Sequence, residues 1–257
     1  MTSKKKPALL VIALLVCATA ANAVPFRLLA WGSYDLNLQY QSGRTPVEVS
    51  AFPTSFSPVY EYKETGPITL FKMVEHEEKP QRQTACVITL PPEIQQALVI
   101  LVPGDDNKAL SKKVLPNSQG QVSTGAPLIY DYVVIDDSPA AHPSGTIEFR
   151  NFSKLPIAIN IAQQQLTIAP RDKVQVPLTA GAKRMPFRAA AQLENGQWRL
   201  LSSTPLPISG AHRLLVILRD GPSHTTRNDE PNVVIVPLFD WPPPPPAEAA
   251  EAGPSSS

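Results

Sequence analysis

The chain of 257 residues is 43% hydrophobic and carries 23 Lys and Arg against 22 Asp and Glu. That balance excludes an electrostatic case for nucleic acid or an anionic membrane surface, and the length suits one large or two ordinary domains. Proline, at 29 residues spread along the chain, argues against long helices, because an interior proline removes a backbone hydrogen bond and clashes with the preceding turn.

The N-terminus reads as a secretory signal peptide. Lys4, Lys5 and Lys6 precede the apolar run Ala8–Ala18, and Ala21 and Ala23 place small residues where a signal peptidase reads them, predicting cleavage after Ala23. The run falls short of the ~20 apolar residues that cross a bilayer. Val16 stands before Cys17 where a lipoprotein signal needs a small residue. No later segment is apolar enough to span a membrane, so the expected product is exported, in the periplasm or outside the cell.

Cleavage removes three basic and no acidic residues, leaving 20 against 22, and takes away Cys17. Cys86 then stands alone, so the mature chain forms no internal disulfide and its core must hold itself together. It sits in the strand-like run Thr84–Leu90, where a buried, inert thiol is expected.

Strands follow in order. Tyr34–Tyr40 and Pro46–Phe52 alternate apolar and polar residues, the mark of a half-buried strand. Pro67–Val74, Thr84–Leu90, Ala97–Val102 and Leu128–Ile135 are further β-rich runs. The second half continues with Thr146–Phe152, Leu155–Ile161, Gln165–Ala169, Lys173–Leu178 and Pro186–Leu193. Asn195-Gly196 then predicts a type I′ hairpin turn with its return strand at Trp198–Ser203. His212–Arg219 and Asn232–Phe239 complete the set.

The halves overlay. Thr45-Pro46-Val47 matches Leu155-Pro156-Ile157, and Leu90-Pro91 matches Leu206-Pro207. A Leu-Val-Ile-Leu run follows in each copy, at 98–101 and 215–218, with a charged turn behind it. Such unbroken apolar runs suit strands buried on both faces. The expected architecture is all-β: two tandem immunoglobulin-like or fibronectin-like sandwiches at 24–137 and 145–241, a linker at 138–144 and a Pro-rich, disordered tail at 242–257.

The stretch Val134–Ser153 and the run Leu206–Arg219 resemble segments of uncharacterised bacterial exported proteins with tandem immunoglobulin-like repeats. The resemblance covers the second half well and the first loosely. It implies an exported β-sandwich protein and carries over no functional residues.

Chemistry is sparse. Metal sites need converging ligands, and His76, His142, His212 and His224 are scattered; the Glu75–Lys79 cluster reads as a solvated hairpin tip. Pro103–Lys108 lacks the ligand alternation of a calcium loop. Adjacent carboxylates such as Asp136-Asp137 and Asp105-Asp106 could supply an acid–base pair, and no nucleophile elbow or phosphate-binding loop is present. The sequence therefore implies no catalytic residues, no metal and no cofactor.

Binding residues are expected in the two longest loops, Pro103–Pro127 and Asp220–Pro231, with Asp105, Asp106, Lys108, Arg227 and Asp229 as candidates. Aromatic contacts are expected at Tyr60, Tyr62 and Trp198, although packing of Trp198 beside its hairpin and of Trp31 into the core is the plainer use of each. These features favour a non-catalytic interaction, assembly or surface module whose partner is another envelope protein or a glycan. Alternatives are a carbohydrate-binding module and, by fold analogy, a periplasmic assembly chaperone using Arg150, Arg188 or Arg213 in an interdomain cleft. A hydrolase has the least support.

Overall fold

A computed structural model describes residues 23–32, 34–64, 66–74, 81–104, 129–179, 181–208, 210–221 and 231–241. Among these the chain is all-β, with eighteen strands and no helical element. The first half contains β1 (Val24–Ala30), β2 (Leu36–Ser42), β3 (Thr45–Ala51), β4 (Tyr60–Tyr62), β5 (Ile68–Val74), β6 (Gln81–Ile88), β7 (Ala97–Pro103) and β8 (Tyr130–Asp136). The second contains β9 (Thr146–Asn151), β10 (Ile157–Ile161), β11 (Gln164–Ile168), β12 (Lys173–Pro177), β13 (Arg184–Met185), β14 (Phe187–Gln192), β15 (Trp198–Ser202), β16 (Leu206–Pro207), β17 (Arg213–Asp220) and β18 (Val233–Asp240).

The two halves repeat one topology. An inner sheet runs β4-β1-β7-β8 in the first half and β12-β9-β17-β18 in the second. An outer sheet runs β3-β2-β5-β6 and β11-β10-β14-β15. In both inner sheets the pair β1–β7 or β9–β17 is parallel and the remaining ladders are antiparallel. The ribbon β13-β16 is an addition in the second half.

Three apolar layers organise these sheets. Phe26, Leu28, Val99 and Leu101 of the first inner sheet pack with Leu38, Val49, Ile68 and Leu70 of its outer sheet. Ile147, Phe149, Leu214 and Val216 pack likewise with Ile157, Ile159, Phe187 and Ala189. Alternate residues of the inner strands point the other way. Leu29, Leu98, Ile100, Val102, Val133 and Ile135 meet Leu215, Ile217, Val236 and Leu238 in a third layer between the two inner sheets. The order is outer–inner–inner–outer, and the two Leu-Val-Ile-Leu strands are buried on both faces.

Three expectations need correction. Strand β1 was missing from the sequence-based set: both its faces are covered, so it lacks alternation, and it directly follows the signal-like segment. With β1 absent the overlay of the halves slips by one element. By sheet order, β10 at Ile157 corresponds to β2 at Leu36 rather than to β3 at Val47. The hairpin at Asn195-Gly196 is also not type I′. Gly196 alone has positive φ (80°), its N–H donates to Leu193 O at 2.9 Å and Leu193 N–H donates to Gln197 O at 2.8 Å, giving a three-residue loop that ends in a left-handed glycine. The two-residue turn with both central φ positive lies instead between β10 and β11, at Ala162 (49°) and Gln163 (64°).

Candidate functional site

Among the described residues, four charged side chains meet at the edge of the central apolar layer. Arg27 on β1 shares the face of Leu29 by alternation. Asp137 follows β8, and Arg213 and Asp240 lie opposite each other at the ends of β17 and β18. The four close a ring. Arg27 donates from Nε to Asp137 Oδ2 at 3.0 Å, with a second, shorter bond from Nη2, and reaches both oxygens of Asp240 at 3.1 and 3.2 Å. Arg213 pairs with Asp137 Oδ1 at 3.1 Å and donates from Nε to Asp240 Oδ2 at 2.7 Å.

The guanidinium of Arg213 also donates to the carbonyls of Asp137 and His142, each at 3.0 Å. Gln96, opposite Asp137 as Arg213 is opposite Asp240, adds a bond to Asp137 Oδ2 at 3.3 Å. Arg27 packs over the Phe56 ring at 4.1 Å. Burial pulls the Arg27 pKa down, but the charges and hydrogen bonds of Asp137 and Asp240 outweigh it and hold it above its ordinary value. Burial pushes Asp240 up, and the two arginines outweigh that to hold its carboxyl below the usual range.

A second cluster surrounds Glu148, which stands on β9 where Arg27 stands on β1, each paired with the corresponding leucine of the parallel neighbour. Glu148 is buried and binds Arg150, Lys173 at 3.3 Å and Gln175 at 2.6 Å. Burial raises its pKa, while Arg150, Gln175 and Lys173 lower it further, leaving a net decrease. Beside it His142 is buried with Nε2 lacking a hydrogen-bond partner. Burial, and then the Arg213 charge, lower the His142 pKa. The stretch between the halves is tied into this region: His142 N–H donates to Ser138 O at 2.9 Å, and both residues are buried.

These groups are committed to one another. Asp136 and Asp137 do not form an acid–base pair, because Asp136 accepts from the Ser138 N–H at 3.0 Å while Asp137 is enclosed by the arginines. Arg150 and Arg213 are likewise paired, and Arg188 is exposed on β14 of the second outer sheet. Among the described residues no group of three His, Cys, Asp or Glu is placed to hold a metal ion. Cys86 is fully buried, and burial pushes its thiol up to about 12. No helix among the described residues is long and apolar enough to cross a membrane.

The aromatic candidates separate. Tyr60 packs its ring against Phe26 and accepts from the Ser50 N–H at 2.9 Å, and Tyr62 is buried with its hydroxyl donating to Pro67 O at 3.1 Å. Trp198, 44% exposed, lies on β15 of the other half beside Leu200, 65% exposed. Trp31 meets Phe152 edge to face at 5.6 Å in the central layer. The candidates Asp105, Asp106, Lys108, Arg227 and Asp229, the cleavage residue Ala21, and His76 and His224 lie outside the described residues; Ala23 is the first described residue. The sequence reading assigned no role to Arg27 or Asp240; Arg27 is a charge inside the apolar run of β1, and Asp240 closes the apolar run of β18.

No family model matches this chain, and no curated protein matches it.

Proposed function

We propose that the protein is an exported, non-catalytic module of two immunoglobulin-like sandwiches, 24–137 and 145–241, that acts by binding another envelope protein. The observation that carries this reading is the repeat of one strand order on either side of a shared apolar layer. The buried charged groups at that layer are consumed in pairing with each other, which fits a scaffold better than a reaction centre. Apolar side chains remain on outer surfaces, notably Leu200, Met73 and Tyr34, and of these the tyrosine is of the aromatic type that most often anchors protein contacts.

A carbohydrate-binding reading keeps one favourable feature, the exposed Trp198. It is weakened because Tyr60 and Tyr62 turn inward and form no strip with that ring. The chaperone reading is weakened by the pairing of Arg150 and Arg213.

The test is expression of the full chain in a bacterial host with a photo-crosslinking residue at position 34, 73 or 200. The expected product begins at Val24 and forms one discrete adduct with an envelope protein. An unprocessed cytoplasmic product, or no adduct from any position, sinks the proposal. Retention on a glycan array that disappears in Trp198→Ala replaces it with the carbohydrate reading.

A further inference from the structure

The two outer sheets share a strand order, and in the first half the ladder between the two middle strands is cut short. In the second half β10 pairs with β14 over five residues, from Ile157↔Ala191 to Ile161↔Phe187. In the first half the corresponding strands β2 and β5 pair at two positions only, Gln39↔Phe71 and Tyr40↔Leu70. Continued in the same register, Leu36 to Leu38 would lie opposite Val74 to Lys72, yet no pairing is made there. Each wall nonetheless stays whole on its other side: β2 pairs with β3 along its full length and β5 with β6 along its full length.

A cleft of about 710 Å³ runs along this opening, lined by both strands and extending past β2 to Glu48, Val49 and Ser50 of β3. Leu36 and Leu38 reach its floor from β2, and Tyr130 reaches it from the start of β8 in the inner sheet. All three belong to or pack on the first core, so the cleft opens onto apolar surface. Its rim is polar, with Asp35 and Glu48 on the β2–β3 side and Lys72 on the other.

We propose that this cleft takes up an extended segment of a partner polypeptide by strand addition. Main-chain groups on the unpaired stretches of two strands are satisfied by another backbone in β conformation, and alternate side chains of that backbone supply selectivity. At about 3.3 Å per residue, three residues on each wall accommodate a short strand. Because β2 and β5 run antiparallel to each other, the added strand lies antiparallel to one wall and parallel to the other. Its inward side chains are small and apolar, against Leu36, Leu38 and Tyr130. Its outward ones are polar, with a basic group beside Asp35 and Glu48. This inference rests on the reading of the chain as an interaction module and names the surface and the form of its partner.

The experiment uses the mature chain and a displayed library of random nonapeptides, followed by synthesis of the strongest binder with and without N-methylation of alternate residues. The double variant Asn37→Cys, Met73→Cys sets two exposed residues opposite each other in the continued register and locks the cleft by a disulfide on oxidation. The buried Cys86, with its thiol at about 12, stays out of the exchange. The expected result is binding weakened at least tenfold by the lock and restored within twofold by reduction, with the N-methylated peptide inactive.

Where the lock does not form, amide exchange decides. Among Leu36–Leu38 and Lys72–Val74, the amides that alternation turns toward the cleft rather than toward β3 or β6 should exchange fast in the free chain and gain at least tenfold protection with the peptide. Three results overturn the inference: no retained peptide, equal binding by the locked form, or cleft-facing amides already protected in the free chain through a second copy or another segment of the same chain. If the locked chain still crosslinks to the same envelope protein, the cleft inference fails and the interaction reading stands. If neither form crosslinks to anything, the interaction reading fails, and the peptide measurements still judge the cleft.

Discussion

Arg27 and Asp240, 213 residues apart in sequence, close a two-point ion pair at 3.1 and 3.2 Å that joins the first strand to the last. Asp137 and Arg213 complete the ring, and three of the four side chains are almost fully enclosed. Removing one member of such a set is costly because its partners stay buried without a counter-charge. Arg27→Met should lower stability by about 3–5 kcal/mol, while replacing all four residues with apolar ones of similar volume should cost far less or nothing. Denaturant unfolding of both variants checks this, and a mild single variant beside a severe quadruple one refutes it.

Stability should fall on acidification in two windows. His142 is held neutral by burial and by Arg213, with Glu148 and Asp137 opposing and Arg150 reinforcing that decrease. Its folded pKa lies below its unfolded value near 6.5, so the unfolded chain takes up the proton first and stability declines as pH drops below about 6.5. Asp240 and Glu148, both lowered, contribute stability that is present above their unfolded values near 4 and lost as pH falls through their folded ones. Thermal melts of the mature chain and of His142→Gln between pH 7.5 and 3 separate the two. The variant should flatten only the upper window.

The β10–β11 turn places Ala162 and Gln163 at positive φ, which costs residues with a Cβ about 1–2 kcal/mol each. The corresponding β2–β3 turn begins with Gly43 at φ 59°. Converting Ala162-Gln163 to Asn-Gly should therefore stabilise the protein by about 1 kcal/mol, or about 2–4 °C in Tm for a chain of this size. Calorimetry reads it directly, and a lower Tm counts against the turn geometry.

The central layer couples the halves. Residues 24–137 expressed alone would expose Leu29, Trp31, Leu98, Ile100, Val102, Val133 and Ile135, a patch of the kind that drives association. Sedimentation should show that fragment self-associated, while the mature chain unfolds in one transition. Ile100→Ala should cost about 2–5 kcal/mol without splitting that transition into two.

Cys86 should resist a thiol reagent at pH 8 in the folded protein and react at once in denaturant, since its thiol titrates near 12 and is fully enclosed. Rapid modification under native conditions contradicts its position in the first core.

Alternation along the backbone is a local property, so most strands were legible. Leu36, Leu38 and Tyr40 declared one face of β2, and Ile157, Ile159 and Ile161 one face of β10. Strands covered on both sides carry no alternation, which hid β1 at the point where it follows the signal-like segment and displaced the overlay of the halves by one element. The Leu-Val-Ile-Leu runs announced double burial but not what covers them, because that depends on a second sheet more than a hundred residues away. The ring of Arg27, Asp137, Arg213 and Asp240 was illegible for the same reason: nothing in a sequence says which distant charges share one low-dielectric space. The cleft between β2 and β5 was equally hidden, since a ladder that stops short leaves no mark on composition. The sequence by itself determined an all-β chain with a repeated strand order, because periodicity and turn chemistry act over a few residues. The tertiary structure alone decided which faces meet, which charges pair and where the sheet stays open, because each of these is a contact between segments far apart in the chain.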